Sequence, residues 1–243
     1  MFKSGETWKG YFKLRGSGSQ DKPIVIESYS SGNKPKIDGN GYQAAVFIEN
    51  QEYVNISGLD LTNEASHKNS NGSVKLMNQS SRSGEDERFG LLVLRHGSSN
   101  INDIKLDDIK ISEIYPTPSN SDNNHQGYGI RFESLNDDSV LNYYDGIEIE
   151  NLDISNTGHY GIHIVNRMSG AQPDYYHRNI VIKDSKFNNT GGSGIVLARC
   201  KDVLVENSEF KGSGSGNDSR MWNRGSSLWT YTCNDTVIQN NLF

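Results

Sequence analysis

The chain has 243 residues, 33% of them hydrophobic, with 25 glycines, 5 prolines and a net charge of −6. One thick globular core would be poorly supplied by that composition, and the acidic balance argues against a nucleic-acid partner, which needs a basic face to displace counterions. No apolar run approaches the roughly 20 residues that span a bilayer, and Met1-Phe2-Lys3-Ser4-Gly5 lacks the apolar stretch of a signal peptide.

Residues 1–44 read as an N-terminal cap and first coils, with Trp8 over the first of them. From residue 45 one pattern recurs: apolar, any, apolar, any, Gly/Asn/Asp, two of any kind, apolar. It runs Val54-Ile56-Gly58-Leu61, Ile104-Leu106-Asp108-Ile111, Ile147-Ile149-Asn151-Ile154, Ile180-Ile182-Asp184-Phe187, Val203-Val205-Asn207-Phe210 and Thr236-Ile238-Asn240-Phe243. A second alternating strand precedes each repeat, at Val46-Ile48, Leu92-Leu94, Ile130-Phe132, Ile162-Ile164, Ile195-Leu197 and Leu228-Thr230.

Successive equivalents Ile56, Leu106, Ile149, Ile182, Val205 and Ile238 lie 50, 43, 33, 23 and 33 residues apart. At about 3.3 Å per strand residue, the shortest interval holds three short strands and three turns. That is one circuit of a solenoid and too little for a propeller blade of about 40 residues. The longer intervals are coils with loops inserted. The reading is an all-β, right-handed parallel β-helix of six to eight coils, a single domain over 1–243 with its repeated coils in 45–243.

In this register the Gly/Asn/Asp position falls where the chain bends, a place for residues that tolerate left-handed backbone. Stacked Asn side chains there could hydrogen-bond from coil to coil. Cys200 and Cys233 occupy the same position of consecutive coils and should be stacked neighbours, read as two buried free thiols rather than a disulfide.

The segments Phe2-Lys3-Ser4-Gly5-Glu6-Thr7-Trp8-Lys9-Gly10, Pro23-Ile24-Val25-Ile26 and Pro35-Lys36-Ile37-Asp38-Gly39, with the later Leu228-Trp229-Thr230-Tyr231-Thr232-Cys233, resemble the pectin-lyase-like right-handed β-helix family of bacterial polysaccharide lyases and glycoside hydrolases. The resemblance implies a polysaccharide substrate and a full-length protein that is secreted or periplasmic. It also implies an export signal ahead of this chain and further coils after it, so the sequence reads as a fragment whose catalytic acids could lie outside it, the alternative being a naturally short member. These motifs speak for architecture more than for reaction.

Alternation supplies the geometry of a site. If the second strand's apolar residues point inward, one outward column holds Val93, Arg131, His163, Val196 and Trp229. Another holds Arg95, Glu133, Val165, Ala198 and Tyr231, in which Arg95 and Glu133 could simply pair. Insertions 62–89, 113–127 and 211–226 enter before this strand, and 133–146 and 165–179 leave after it. They wall a groove of the shape a linear polymer occupies.

Trp229 and Tyr231 would floor the groove as sugar platforms, with Trp222 in the adjoining loop. Arg199, Arg220 and Arg224 could meet carboxylate or sulfate groups of an acidic glycan, and His159 leads into the groove strand. A lyase needs a base and a neutralising cation; His163 or an adjacent Tyr such as Tyr160 could be the base, with Arg131 and Arg199 as the neutralisers. A hydrolase needs two carboxyl groups about 5–10 Å apart, and the columns offer only Glu133, with Asp122 or Asp218 from loops. His125 could reach the rim.

No metal motif stands out. The run Glu85-Asp86-Glu87 could hold calcium through oxygen ligands but lacks the spacing of a calcium loop, and no other cofactor is implied. The function expected is cleavage of glycosidic bonds in a polysaccharide by a monomer, lyase and hydrolase unresolved. The alternative is a non-catalytic glycan-binding or surface-scaffold β-helix.

Overall fold

The computed structural model describes residues 1–64, 87–97, 100–116, 126–135, 142–167 and 173–243. Among them run three parallel sheets of seven strands each. Sheet I holds Phe12–Lys13, Ala44–Glu49, Arg88–Arg95, Gly127–Ser134, Ile162–Asn166, Ile195–Ala198 and Leu228–Tyr231. Sheet II holds Ile24–Ile26, Val54–Ser57, Ile101–Asp107, Tyr144–Glu150, His177–Lys183, Cys200–Glu206 and Asn234–Gln239. Sheet III holds Thr7–Lys9, Lys36–Asp38, Asp60–Glu64, Lys110–Tyr115, Asp153–Thr157, Lys186–Thr190 and Glu209–Lys211. Each coil visits I, II and III in turn, and parallel crossovers take the right hand. The chain is a right-handed parallel β-helix, and among the described residues no helix is long and apolar enough to cross a membrane.

The repeat stacks as its spacing requires. Ile149 aligns with Ile182, Ile182 with Val205 and Val205 with Ile238 in sheet II. The motif's last apolar residue forms the interior column of sheet III, from Leu61 through Ile111, Ile154 and Phe187 to Phe210. That column ends in near-parallel rings, with Phe187 and Phe210 centroids 4.8 Å apart and Phe210 and Phe243 5.2 Å apart.

The bend column takes left-handed backbone throughout, with φ of 67° at Gly58 and 52–55° at Asp108, Asn151, Asp184, Asn207 and Asn240. Asn151 Nδ2 donates 2.8 Å to Asp107 Oδ1 in the coil below, so the coil-to-coil bond is made to a carboxylate rather than to another amide. On the outer face of sheet III, Lys36, Asp60, Lys110, Asp153, Lys186 and Glu209 align in one column of alternating charge. A slip of one coil would set like charges side by side.

Where sheet III turns into sheet I the interior narrows. A Cβ on Gly161 would lie 2.6 Å from the Gly194 carbonyl oxygen and 2.9 Å from Phe187 Cδ1. Both neighbours are held in the stack, so Gly161→Ala should cost about 1–3 kcal/mol, the usual penalty for overpacking. Chemical denaturation should show it as a lower midpoint, and a wild-type midpoint would refute the close approach.

The register of Arg88–Arg95 corrects the outward columns. Leu91 and Val93 point into the solenoid, and Leu92, not Val93, aligns with Arg131. Arg95 aligns with Ser134 rather than Glu133, and its Nη1 donates 2.8 Å to Asn50 Oδ1. The run Leu91-Leu92-Val93-Leu94 is apolar at every position because both faces of this strand are buried. Outside sheet I lies a second apolar layer of Ala44, Phe47, Phe89, Leu92, Leu94, Tyr128, Tyr160 and Val196.

Cys200 and Cys233 are free thiols at aligned positions, with Cys200 buried and Cys233 half-buried. Burial pushes the Cys200 thiol well up. The hydrogen bond from Cys200 draws Cys233 down to about 7.

Candidate functional site

Sheet I carries Arg131, Glu133 and His163, and its strand Gly127–Ser134 is buried along its whole length. Arg131 is 0% and Glu133 3% exposed. Arg131 Nε lies 3.0 Å from Glu133 Oε2, and its Nη1 lies 3.7 Å from Glu87 Oε1. The other oxygen of Glu133 accepts from Arg167 Nε at 2.9 Å. The guanidinium carbon of Arg131 sits 4.8 Å over the Tyr128 ring. Burial opposes the charge on Arg131, but Glu133, Tyr128 and Glu87 outweigh it and hold the group above its ordinary value. Burial likewise pushes Tyr128 up to about 12.

This placement corrects the expected exposure of Arg131 and Glu133. They form the core of a buried ion network, not the floor of an open groove, because the outer apolar layer encloses their strand. Of the acidic run Glu85-Asp86-Glu87, Glu87 faces the Arg131 guanidinium, and Glu85 and Asp86 lie outside the described residues. Among the described residues no group of three or more His, Cys, Asp or Glu side chains is arranged to hold a metal.

Beside the network lies a cluster of rings. His163 stands one strand from Arg131 in the same outward column, and its ring stacks on Tyr128 at 5.9 Å and meets Tyr160 edge-on at 5.1 Å. His159 stacks on Tyr160 at 3.9 Å, and Trp222 closes on His159 edge-first at 4.4 Å. His159, His163 and Trp222 are half-buried. Tyr128 escaped the sequence reading, although Phe89-Gly90, Tyr128-Gly129 and Tyr160-Gly161 repeat an aromatic-glycine pair at one point of three coils. The glycine admits the narrow corner and the ring before it turns outward.

Farther along the face, Trp229 and Tyr231 are 51% and 56% exposed. They are two residues apart on one strand, so their side chains share a face about 7 Å apart. Trp229 follows His163 and Val196 in its column, and Tyr231 follows Val165 and Ala198 in the next. Arg199 Nη1 donates 2.8 Å to the Asn166 carbonyl. The exposed Arg224 guanidinium lies 5.4 Å over the Trp222 ring.

Arg220 is not presented to a ligand. Its Nε and Nη2 donate to Asp218, its Nη1 donates 2.8 Å to Glu64 Oε1, and its flat face covers Tyr115 at 4.0 Å. Asp122 and His125 lie outside the described residues, as do parts of four of the five insertions expected to wall the groove.

No protein-family model matches the chain, and no curated protein matches it. Solved structures do. The chain matches the GH136 lacto-N-biosidase from Eubacterium ramulus over 98% of its own length with a TM-score of 0.74 and 18% identity, spanning 44% of that protein. It matches an alginate lyase from Paenibacillus sp. str. FPU-7 over 98% of its length with a TM-score of 0.57 and 20% identity, spanning 66% of that chain. The likeness is one of fold.

Proposed function

We propose that the chain belongs to a carbohydrate-active enzyme of the pectin-lyase-like kind, which cleaves glycosidic bonds in a polysaccharide lying along the outer face of sheet I. The observation that carries this reading is the exposed pair Trp229 and Tyr231 on one face of one strand. Single exposed rings are ordinary on protein surfaces. Two aligned rings continuing the columns of His163 and Val165 make a surface that can cover the C–H faces of a sugar chain. Two solved structures that share the fold are, by name, a lacto-N-biosidase and an alginate lyase.

Among the described groups, His163 and Tyr160 are the ones placed to move a proton. Both oxygens of Glu133 are held by arginines, and Glu87 faces the same Arg131. That arrangement counts against a two-carboxylate hydrolysis among the described residues, and an elimination would take its cation from Arg199 rather than from the sealed Arg131. The reading carries a secreted or periplasmic protein acting as a monomer.

Assays on a panel of uronate and neutral polysaccharides should show reducing ends rising together with absorbance of an unsaturated product. Reducing ends alone would make the enzyme a hydrolase. Trp229→Ala should weaken polymer binding about 5- to 150-fold, taking a stacked ring as worth roughly 1–3 kcal/mol. Binding without turnover would leave a glycan-binding module. Unchanged binding in Trp229→Ala, or no binding by the wild type, would move the assignment to a scaffold.

A further inference from the structure

The segment 212–227 leaves sheet III after Lys211 and returns to sheet I at Leu228. On the way it runs across earlier coils, where Ser215 N bonds to the Thr190 carbonyl, Arg224 N to Gly191 and Trp222 N to Gly158. These bonds lay the segment along the corner between sheets III and I. Backbone bonds of this kind fix its path but not the direction in which Trp222 points.

Arg220 supplies a second anchor two residues from Trp222. Asp218 holds it from within the segment, through Nε at 2.9 Å and Nη2 at 2.8 Å. Glu64, 156 positions earlier and at the end of a sheet III strand, holds its Nη1 at 2.8 Å. Tyr115, from the next strand of that sheet, lies under its flat face at 4.0 Å. The Arg220 side chain is 13% exposed, and Met221 beside it is buried. One guanidinium therefore uses its charge, its fork of donors and its face to join three separate parts of the chain.

We infer that Arg220 is a positioning residue: clamped by Asp218, Glu64 and Tyr115, it holds the 212–227 segment so that Trp222 closes the ring cluster at His159 and Tyr160. Lysine cannot replace it, because a point charge cannot meet two carboxylates and cover a ring at once. The consequence for glycan affinity rests on the proposed function. The consequence for Trp222 does not.

The chain has three tryptophans, so Trp8→Phe with Trp229→Phe leaves Trp222 as the sole emitter. In that background Arg220→Gln and Glu64→Gln should both shift the Trp222 emission to longer wavelength and raise its quenching by iodide severalfold, with the far-ultraviolet β spectrum retained. Arg220→Lys should restore only part of the native emission. In the otherwise native chain, Arg220→Gln and Trp222→Ala should weaken polysaccharide binding by similar factors, and the double variant should be no weaker than Trp222→Ala, since residues acting as one unit are not additive. Should Arg220→Gln fail to fold, Glu64→Gln decides the matter, because it leaves the guanidinium with Asp218. Native emission and quenching in the folded variants, or additive losses of binding, would overturn the inference. If the native chain binds no polysaccharide, the glycan reading fails while the emission data still judge the clamp.

Discussion

Glu133→Gln should lower stability by about 3–5 kcal/mol, the cost of leaving one member of a buried ion pair without its partner. Glu133 is the carboxylate nearest Arg131, at 3.0 Å, and the side chains of that pair are 1% and 4% exposed. Glutamine keeps the size but removes the charge, and Glu87 at 3.7 Å compensates less well. The loss should appear in urea denaturation as a lower midpoint with an unchanged slope. The converse variant, Arg131→Met with Glu133→Leu, should recover only part of that loss, because the apolar pair escapes the desolvation penalty while Glu87 keeps a buried carboxylate beside it. A loss below about 1 kcal/mol in Glu133→Gln would mean that solvent reaches the pair. The double variant also separates structure from chemistry: if it folds and still turns over a polysaccharide, the network is a support for the face and not part of the reaction.

The solenoid was legible because its signal is repeated. Six copies of one motif average out the ambiguity of any single short strand, and the positions of Gly58, Asp108, Asn151, Asp184, Asn207 and Asn240 predict the left-handed bends that the backbone adopts. Register failed at Leu91-Leu92-Val93-Leu94, where burial of both faces erases the alternation that sets inside from outside. That slip produced the Arg95 with Glu133 pairing and put Val93 in place of Leu92. Flanking coils could have corrected it, since Phe89-Gly90-Leu91 matches Tyr128-Gly129-Ile130 residue for residue.

The site was legible as a set of columns but not as a depth. Alternation places Arg131, His163, Val196 and Trp229 in one line, and so they stand. It cannot say that Arg131 is sealed while Trp229 is open, because that depends on an outer layer assembled from residues far apart in sequence. Arg220 shows the same limit: its partner Glu64 lies 156 residues away, and no local pattern connects them. The charge inventory changes accordingly. Of the arginines read as facing an acidic glycan, Arg131 and Arg220 are already matched by carboxylates, while Arg199 bonds to a backbone carbonyl and Arg224 rests on Trp222.

His177 gives the protein an acid limit that the sequence reading missed. It opens the sheet II strand His177–Lys183, aligned with Cys200, and is wholly buried. Its Nδ1 accepts from Tyr144 N–H at 3.1 Å, with the Tyr144 ring 4.9 Å away. Burial pushes its pKa down from 6.5 to about 4, offset only in part by the Val165 carbonyl. An unfolded chain takes up this proton near pH 6.5, whereas the native one resists until about pH 4, so between those values the unfolded state binds more protons. Stability from this group is therefore complete above pH 6.5, falls as the pH drops through the window, and levels off below about 4. Lowering from 6.5 to about 4 corresponds to about 3 kcal/mol. Glu49 and Asp218, whose carboxyls sit below their ordinary values, also lose stability in acid, so the useful quantity is a difference between proteins. His177→Gln keeps an acceptor for Tyr144 N–H and removes the titration. Unfolding free energies of wild type minus His177→Gln, measured from pH 7 to pH 4, should fall by about 3 kcal/mol, and a difference that stays flat across that range would show that His177 is not held neutral by burial.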